Sequence, residues 1–274
     1  MTIDLPDFKT FDQRKIIQST KIYDRSGDIL LYDIHNDIRR TVVALNEVPA
    51  SVKNATVAIE DSNFYNHRGV DFSSIARAAF TNLLYGEVRQ GGSTITQQLV
   101  KKALLTDERT IRRKFKELIL ALKLERVLDK EQILELYLNE IPYGSSAYGI
   151  AAAAETFFGK KLGEITLAEA AYLASLPNAP TFYSPYGSRQ KELDERKNLV
   201  LKRMADLDFI TEEESEAIKK EVVKFVPRGN ETLKAPHFIF YVRDYLTQKY
   251  GEDAVENGGL KVITTLDWNL QQKA

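Results

Sequence analysis

Cysteine is absent from the 274-residue chain. That excludes disulfides, thiol nucleophiles and thiolate metal sites, and it leaves the redox compartment open. Only three histidines are present, too few and too scattered for a histidine-rich metal centre. No uninterrupted apolar run approaches the roughly 20 residues needed to span a bilayer, and no charged-then-apolar leader opens the chain. The chain therefore reads as soluble, or as the soluble piece of a once-anchored protein. An excess of one charge is missing too: 38 basic residues face 39 acidic ones, for a formal net charge of -1. Such balance argues against a nucleic-acid binder working through bulk positive charge, so any anion site has to come from local clustering. What is present is 43% hydrophobic and 28% charged, the composition of a globular protein able to bury a core.

The first stretch reads as β. Lys21-Ile22-Tyr23, the turn Asp24-Arg25-Ser26-Gly27-Asp28 and Ile29-Leu30-Leu31-Tyr32 form a strand, turn and strand, with Gly27 free to take positive φ. From about Pro49 the pattern becomes helical. Asp71 is placed to cap a helix through Ile75, Ala79 and Leu83 that stops near Gly86. Thr166 with Glu169 and Thr211 with Glu214 have capping-box spacing, and Pro177 and Pro180 end the helix that begins at Leu167. Ala151 to Ala154 suit close helix packing. Near the end, Lys261 to Leu266 is β-branched and strand-like.

Residues 107–127 carry the densest chemical pattern. Thr106 or Asp107 is expected to cap a helix whose apolar stripe is Ile111, Phe115, Leu118 and Leu122. At about 100° per residue, Arg109, Arg113, Lys116 and Glu117 fall on the opposite face. By itself that face is either a solvated surface or an anion clamp with a carboxylate beside it. Upstream, Glu60-Asp61-Ser62-Asn63-Phe64-Tyr65-Asn66-His67-Arg68-Gly69 packs two carboxylates, a histidine and a glycine between two helices. Loops of that kind often carry reactive groups, although a solvated acidic pair is the plainer alternative. The run Gly91-Gly92-Ser93-Thr94-Ile95-Thr96-Gln97-Gln98-Leu99-Val100-Lys101-Lys102 turns into a helix N-terminus, where free N–H groups favour anions. An ordinary capped helix explains that run equally well. It lacks the Lys directly after a glycine that a phosphate loop of the Walker type needs.

Taken together these motifs resemble the glycosyltransferase domain of bifunctional (class A) penicillin-binding proteins, glycosyltransferase family 51. Five segments carry the resemblance in order: Glu60-Asp61-x-x-Phe64-x-x-His67-x-Gly69, Gly91 to Lys101, Arg113-Lys114-x-x-Glu117, Ile133 to Asn139 and Ala171 to Pro177. They cover roughly Asn46 to Arg203. Lys102 departs from the pattern, where asparagine is common. The resemblance implies a mainly α, lysozyme-like two-lobed helical domain with a small β element at the N-terminus and a partial β linker at the C-terminus. It divides the chain into an N-terminal β-containing segment (1–47), a peptidoglycan glycosyltransferase domain (48–224), and a linker that starts a truncated transpeptidase module (225–274). Ser188-x-x-Lys191 matches a bare transpeptidase serine pattern, but no Ser-Asp-Asn or Lys-Thr-Gly follows, so penicillin binding is not expected.

The implied reaction polymerises lipid II with inversion, releasing lipid pyrophosphate. The resemblance makes Glu60 the base for the acceptor hydroxyl and Glu117 a second catalytic carboxylate that orients cations and donor sugar. Lys101, Arg109 and Lys116, with Gln98 and Ser93 as neutral donors, are expected to hold the pyrophosphate. Arg113 is the weaker candidate, Arg77 lies near the acceptor phosphates, and Asp61 is placed beside Glu60 to raise its pKa by like-charge repulsion. No cofactor is required, and a divalent cation (Mg or Mn) on the pyrophosphate is compatible with the scheme. Expected partners are lipid II, the lipid-linked glycan chain, the membrane surface and cell-wall synthesis proteins, with no nucleic acid. The expected location is the periplasmic face of the cytoplasmic membrane. The family's membrane anchor is absent from this chain, and truncation before Met1 is the simplest expectation. Phe80, Leu83, Leu84 and Tyr85 are expected either to dip into the interface or to pack in the core. Two rivals stay open: a lytic glycan-cleaving enzyme of lysozyme-like fold and a non-catalytic lipid-pyrophosphate scaffold.

Overall fold

The computed structural model describes residues 17–34, 38–85, 92–105, 110–227 and 234–273, with 79–85 as helical backbone alone. Strand β1 (Thr20–Tyr23) pairs antiparallel with β2 (Leu30–Ile34). The turn between them closes on Asp24, whose Oδ1 accepts from the Ser26 amide at 3.1 Å, while Gly27 takes φ 77°. After the short β3 (Arg39–Arg40) the chain becomes helical. There follow α1 (Ala50–Glu60), α2 (Phe72–Tyr85), α3 (Ile95–Leu104), α4 (Ile111–Leu124) and α5 (Lys130–Glu140). Strands β4 (Pro142–Gly144) and β5 (Ala147–Tyr148) form a small sheet with β3. Then come α6 (Ile150–Phe158), α7 (Leu167–Ser175), α8 (Gln190–Asp206), α9 (Glu212–Lys219), α10 (Pro236–Tyr250), α11 (Glu252–Asn257), β6 (Lys261–Ile263) and α12 (Trp268–Gln271). The expected helical class with small β elements is what the chain forms.

Local chemistry sets the helix starts. Asp71 accepts from the Ser73 and Ser74 amides ahead of α2, and both expected capping boxes form at Thr166 and Thr211. Helix α4 is capped by Thr110, whose hydroxyl accepts from the Arg113 amide. Thr106 and Asp107 lie outside the described residues. The alanines of α6 do pack closely: Ala152, Ala153 and Ala154 are buried. The two ends of the chain, separate segments in the sequence, share one sheet. Strand β6 runs parallel to β1, and Ile239, Val242 and Leu246 of α10 cover Ile22, Leu31 and Ile34.

Two packed groups of helices position the cleft. Helix α1 brings Ala55, Ala58 and Ile59 against Ala171 and Ala174 of α7 and Val200, Leu201 and Met204 of α8. Small side chains at this seam let the backbones approach. On the other side, Leu99 and Val100 of α3, Leu120 and Leu124 of α4, and Leu134 and Leu138 of α5 form the main core. Helix α4 packs differently from its periodicity. The stripe expected to face inward starts with Ile111 and Phe115, which are 81% and 64% exposed. The face that is buried carries Glu117, Leu120, Ala121 and Leu124.

Candidate active site

Helix α1 ends at Glu60, and the chain turns at once into the loop 61–70. Phe64 anchors that loop in the core at 0% exposure, a burial that contributes about 2–3 kcal/mol. Gly69 closes it at φ 74°, where an added Cβ would lie 2.8 Å from the carbonyl oxygen of Ala121. Only glycine fits that approach to α4 at that φ. The Gly69 carbonyl in turn accepts from the Thr94 hydroxyl at 2.7 Å.

Asp61 belongs to the same framework. His67 Nε2 lies 2.9 Å from its Oδ2, and the Ile95 amide donates to that oxygen at 3.0 Å. Thr94 and Gln97 complete a capping box. Of the two sequence readings of the α3 N-terminus, an anion site or an ordinary capped helix, the capped helix forms, met by an internal carboxylate and a hydroxyl. Asp61 reaches the cleft wall, but its oxygens are engaged by the protein.

Glu60 lies between the two helical groups at 6% side-chain exposure. Its Oε2 accepts from Gln98 Nε2 at 2.7 Å, and its Oε1 lies 3.4 Å from the Arg196 guanidinium. Burial pushes the Glu60 carboxyl above the usual carboxylate range, and Gln98, Arg196 and Arg203 pull it back without cancelling the rise. A carboxylate so placed is a stronger base than a solvated one. The cleft above it has a volume of about 890 Å³.

Cations flank it on both sides. Lys101, Lys102, Arg113 and Lys114 line one wall, from α3 and α4. Arg77, Arg196 and Arg203 line the other, from α2 and α8. Glu117 sits under the first group, 2% exposed at its side chain and ion-paired with Lys114, whose Nζ also donates to Ser93 Oγ at 2.8 Å. Arg77 is steadied by Ser74 Oγ at 2.9 Å. Against the upward push of burial, hydrogen bonds from Ser73 and Ser74 hold Asp71 well below the usual carboxylate range.

A transglycosylase family signature matches residues 28–205, which takes in both walls of this cleft. The chain belongs to the transglycosylase family. It is 45% identical over 272 residues to Penicillin-binding protein 1A of Aquifex aeolicus (strain VF5), covering 99% of this chain and 37% of that one. Against Penicillin-binding protein 1A of Escherichia coli (strain K12) the identity is 39% over 271 residues, 98% of this chain and 31% of the other. The 2.6 Å crystal structure of Penicillin-Binding Protein 1A from Haemophilus influenzae is similar at a TM-score of 0.51 and 29% identity, covering 95% of this chain and 28% of that one. The chain thus spans about a third of the length of these curated relatives.

In this member of the transglycosylase family the cleft brings together Glu60, Glu117, Asp61, Arg77, Ser93, Gln98 and Lys101 from the sequence. It changes several roles. Gln98 is a partner of Glu60, bound to it directly. Asp61 is a strut for His67 and α3, and the raised Glu60 carboxyl is caused by burial. Among the described residues the α4 lining comprises Arg113, Lys114 and Glu117. Lys116 is outside it, because the helix is turned so that Lys114 shares the cleft with Glu117. Arg109 lies outside the described residues, as do the side chains of Phe80, Leu83, Leu84 and Tyr85. Arg196 and Arg203 were missed by the sequence reading. Their seven-residue spacing puts them on one face of α8, two turns apart, and that was the available signal.

Proposed function

We propose that this chain is a peptidoglycan glycosyltransferase that joins lipid-linked disaccharides, with Glu60 as the base. The observation that carries the reading is one buried carboxylate with a raised pKa at the floor of a cleft lined by cations on both sides. A sugar hydroxyl is a poor nucleophile at neutral pH, and a positioned base is worth roughly 10²–10⁴ in rate. Glu60 takes the acceptor's proton, the oxygen attacks the donor's anomeric carbon with inversion, and the lipid pyrophosphate departs. That leaving group carries its charge stably and needs clamping more than protonation. Lys101, Arg113 and Lys114 supply the clamp, with Arg109 as a further member. Glu117 holds Lys114 in place, and Arg77 meets the acceptor's phosphates. A lytic enzyme would use a protonated carboxyl as acid and would have no use for seven cations around it. No cofactor enters this scheme, and a divalent ion on the pyrophosphate is compatible with it.

Both substrates are lipid-linked in this reading, so the cleft works at a membrane surface on the extracytoplasmic side. Exposed Ile111, Phe115 and Phe72, the last 68% exposed, support that placement. No described helix is long and apolar enough to cross a membrane. Replacing Glu60 by Gln is the direct test. Incubation with lipid-linked disaccharide in detergent should then give no polymer while substrate still binds, and undiminished polymer would reject the assignment.

A further inference from the structure

Near Glu60, outside the residues that line the cleft, lies a buried tyrosine that the proposed chemistry does not use. Tyr137 of α5 is 0% exposed, and its hydroxyl donates to Gln98 Oε1 at 3.3 Å. Gln98 Nε2 donates onward to Glu60 Oε2 at 2.7 Å. We propose that Tyr137 is a positioning residue for the base, fixing the Gln98 amide so that its N–H₂ end always faces Glu60. This rests on the reading of Glu60 as the base.

The physical reason is the two-faced amide. Turning it end over end costs little in shape but exchanges donor for acceptor. A turned Gln98 would set its carbonyl lone pairs against the carboxylate. The ionised carboxylate only accepts, so it takes the N–H₂ end, and the phenol proton then pairs with the carbonyl end and holds the amide in that orientation. Burial first, and the nearby Glu60 charge second, push the Tyr137 phenol well above its ordinary range, so it keeps that proton. Among the described residues, the other groups acting most strongly on Glu60 include Arg196 and Arg203 on α8, and Glu60 in turn acts on Tyr143 of β4. Tyr143 is also buried, but among the described residues its hydroxyl has no hydrogen-bond partner. It therefore serves as the matched comparison: same residue type, same neighbour, no link to the amide.

The test measures polymer formation against pH for the unaltered chain, Tyr137→Phe, Gln98→Ala, the double variant and Tyr143→Phe. Losing a fixed donor to the carboxylate favours its protonated form. Tyr137→Phe should therefore lower kcat about tenfold on the acidic limb, change KM less, and recover at alkaline pH. It should add nothing in the Gln98→Ala background, and Tyr143→Phe should follow the unaltered chain. A loss equal at every pH, a loss additive with Gln98→Ala, or no loss at all would overturn the inference. Carbon NMR of isotope-labelled glutamate, with Glu60→Gln assigning the resonance, reads the same shift without turnover. An unshifted Glu60 titration overturns the inference there too. Should Tyr137→Phe not fold, Gln98→Ala carries the test, and an unmoved acidic limb in that variant is equally fatal. Polymer made by Glu60→Gln would instead remove the base assignment itself, a result distinct from any of these.

Discussion

Replacing Arg196 by Met removes, among the described residues, the one guanidinium that touches Glu60 while keeping most of the side chain's length. The guanidinium lies 3.4 Å from Glu60 Oε1, with side-chain exposures of 14% and 6%. At an effective dielectric of about 20, such a separation corresponds to about 5 kcal/mol of attraction. The loss will be smaller, because Arg203 remains nearby and because a buried carboxyl deprived of its partner takes up a proton. A net effect of about 1–3 kcal/mol follows, roughly 5- to 150-fold in the protonation equilibrium of Glu60. The sign is fixed by the direction of the shift. Burial already raises the folded-state pKa of Glu60 above its unfolded value, so this group favours the fold at low pH and opposes it as pH rises through the folded pKa. Arg196→Met raises that pKa further. Polymerisation should therefore fall at neutral pH and recover toward alkaline pH, while the melting temperature drops more at high pH than at low pH. Pyrophosphate-lipid release assayed across pH, with parallel thermal denaturation, checks both. A pH–rate profile superimposable on that of the unaltered chain would refute the claim that Arg196 tunes the base.

Other consequences are as direct. Gly69→Ala should cost about 2 kcal/mol or more, since it combines a left-handed φ with a Cβ 2.8 Å from the Ala121 carbonyl. Urea denaturation would show it, and an unchanged midpoint would contradict the close approach. Ile111→Ser together with Phe115→Ser should leave the melting temperature within a degree or so, because both side chains are already exposed. The same pair should weaken sedimentation with anionic vesicles, and undiminished sedimentation would move the membrane face elsewhere. A fluorescent penicillin should not label the chain covalently, because Ser188 and Lys191 are exposed residues outside the cleft lining. A labelled band would disprove this.

Much of the site was readable in the linear order. The loop from Glu60 to Gly69 and the run into α3 announce themselves by residue type, and the structure gives each a physical reason. Gly69 is there because α4 passes too close for a side chain, and Thr94 because α3 needs a cap. The readings that shifted on α4 concern direction. Periodicity placed Ile111 and Phe115 on the inward face of α4, yet the helix buries Glu117 and exposes both apolar residues. Helical spacing says which residues share a face; it does not say which face the protein covers. That same rotation puts Lys114 in the cleft where Lys116 was expected.

What the sequence by itself determined was therefore local: helix caps, turn glycines, the motif loops and the carboxylate that ends α1. Each depends on groups a few residues apart, whose distances the backbone sets. Only the tertiary structure decided the partners of that carboxylate. Arg196 meets Glu60 across 136 positions and Gln98 across 38, because the alanine seam of α1, α7 and α8 closes on one side and α3 packs on the other. Separations of that size are fixed by packing of whole helices, and no local pattern encodes them. The raised pKa of Glu60 follows from that packing, since burial exists only once the helices have met.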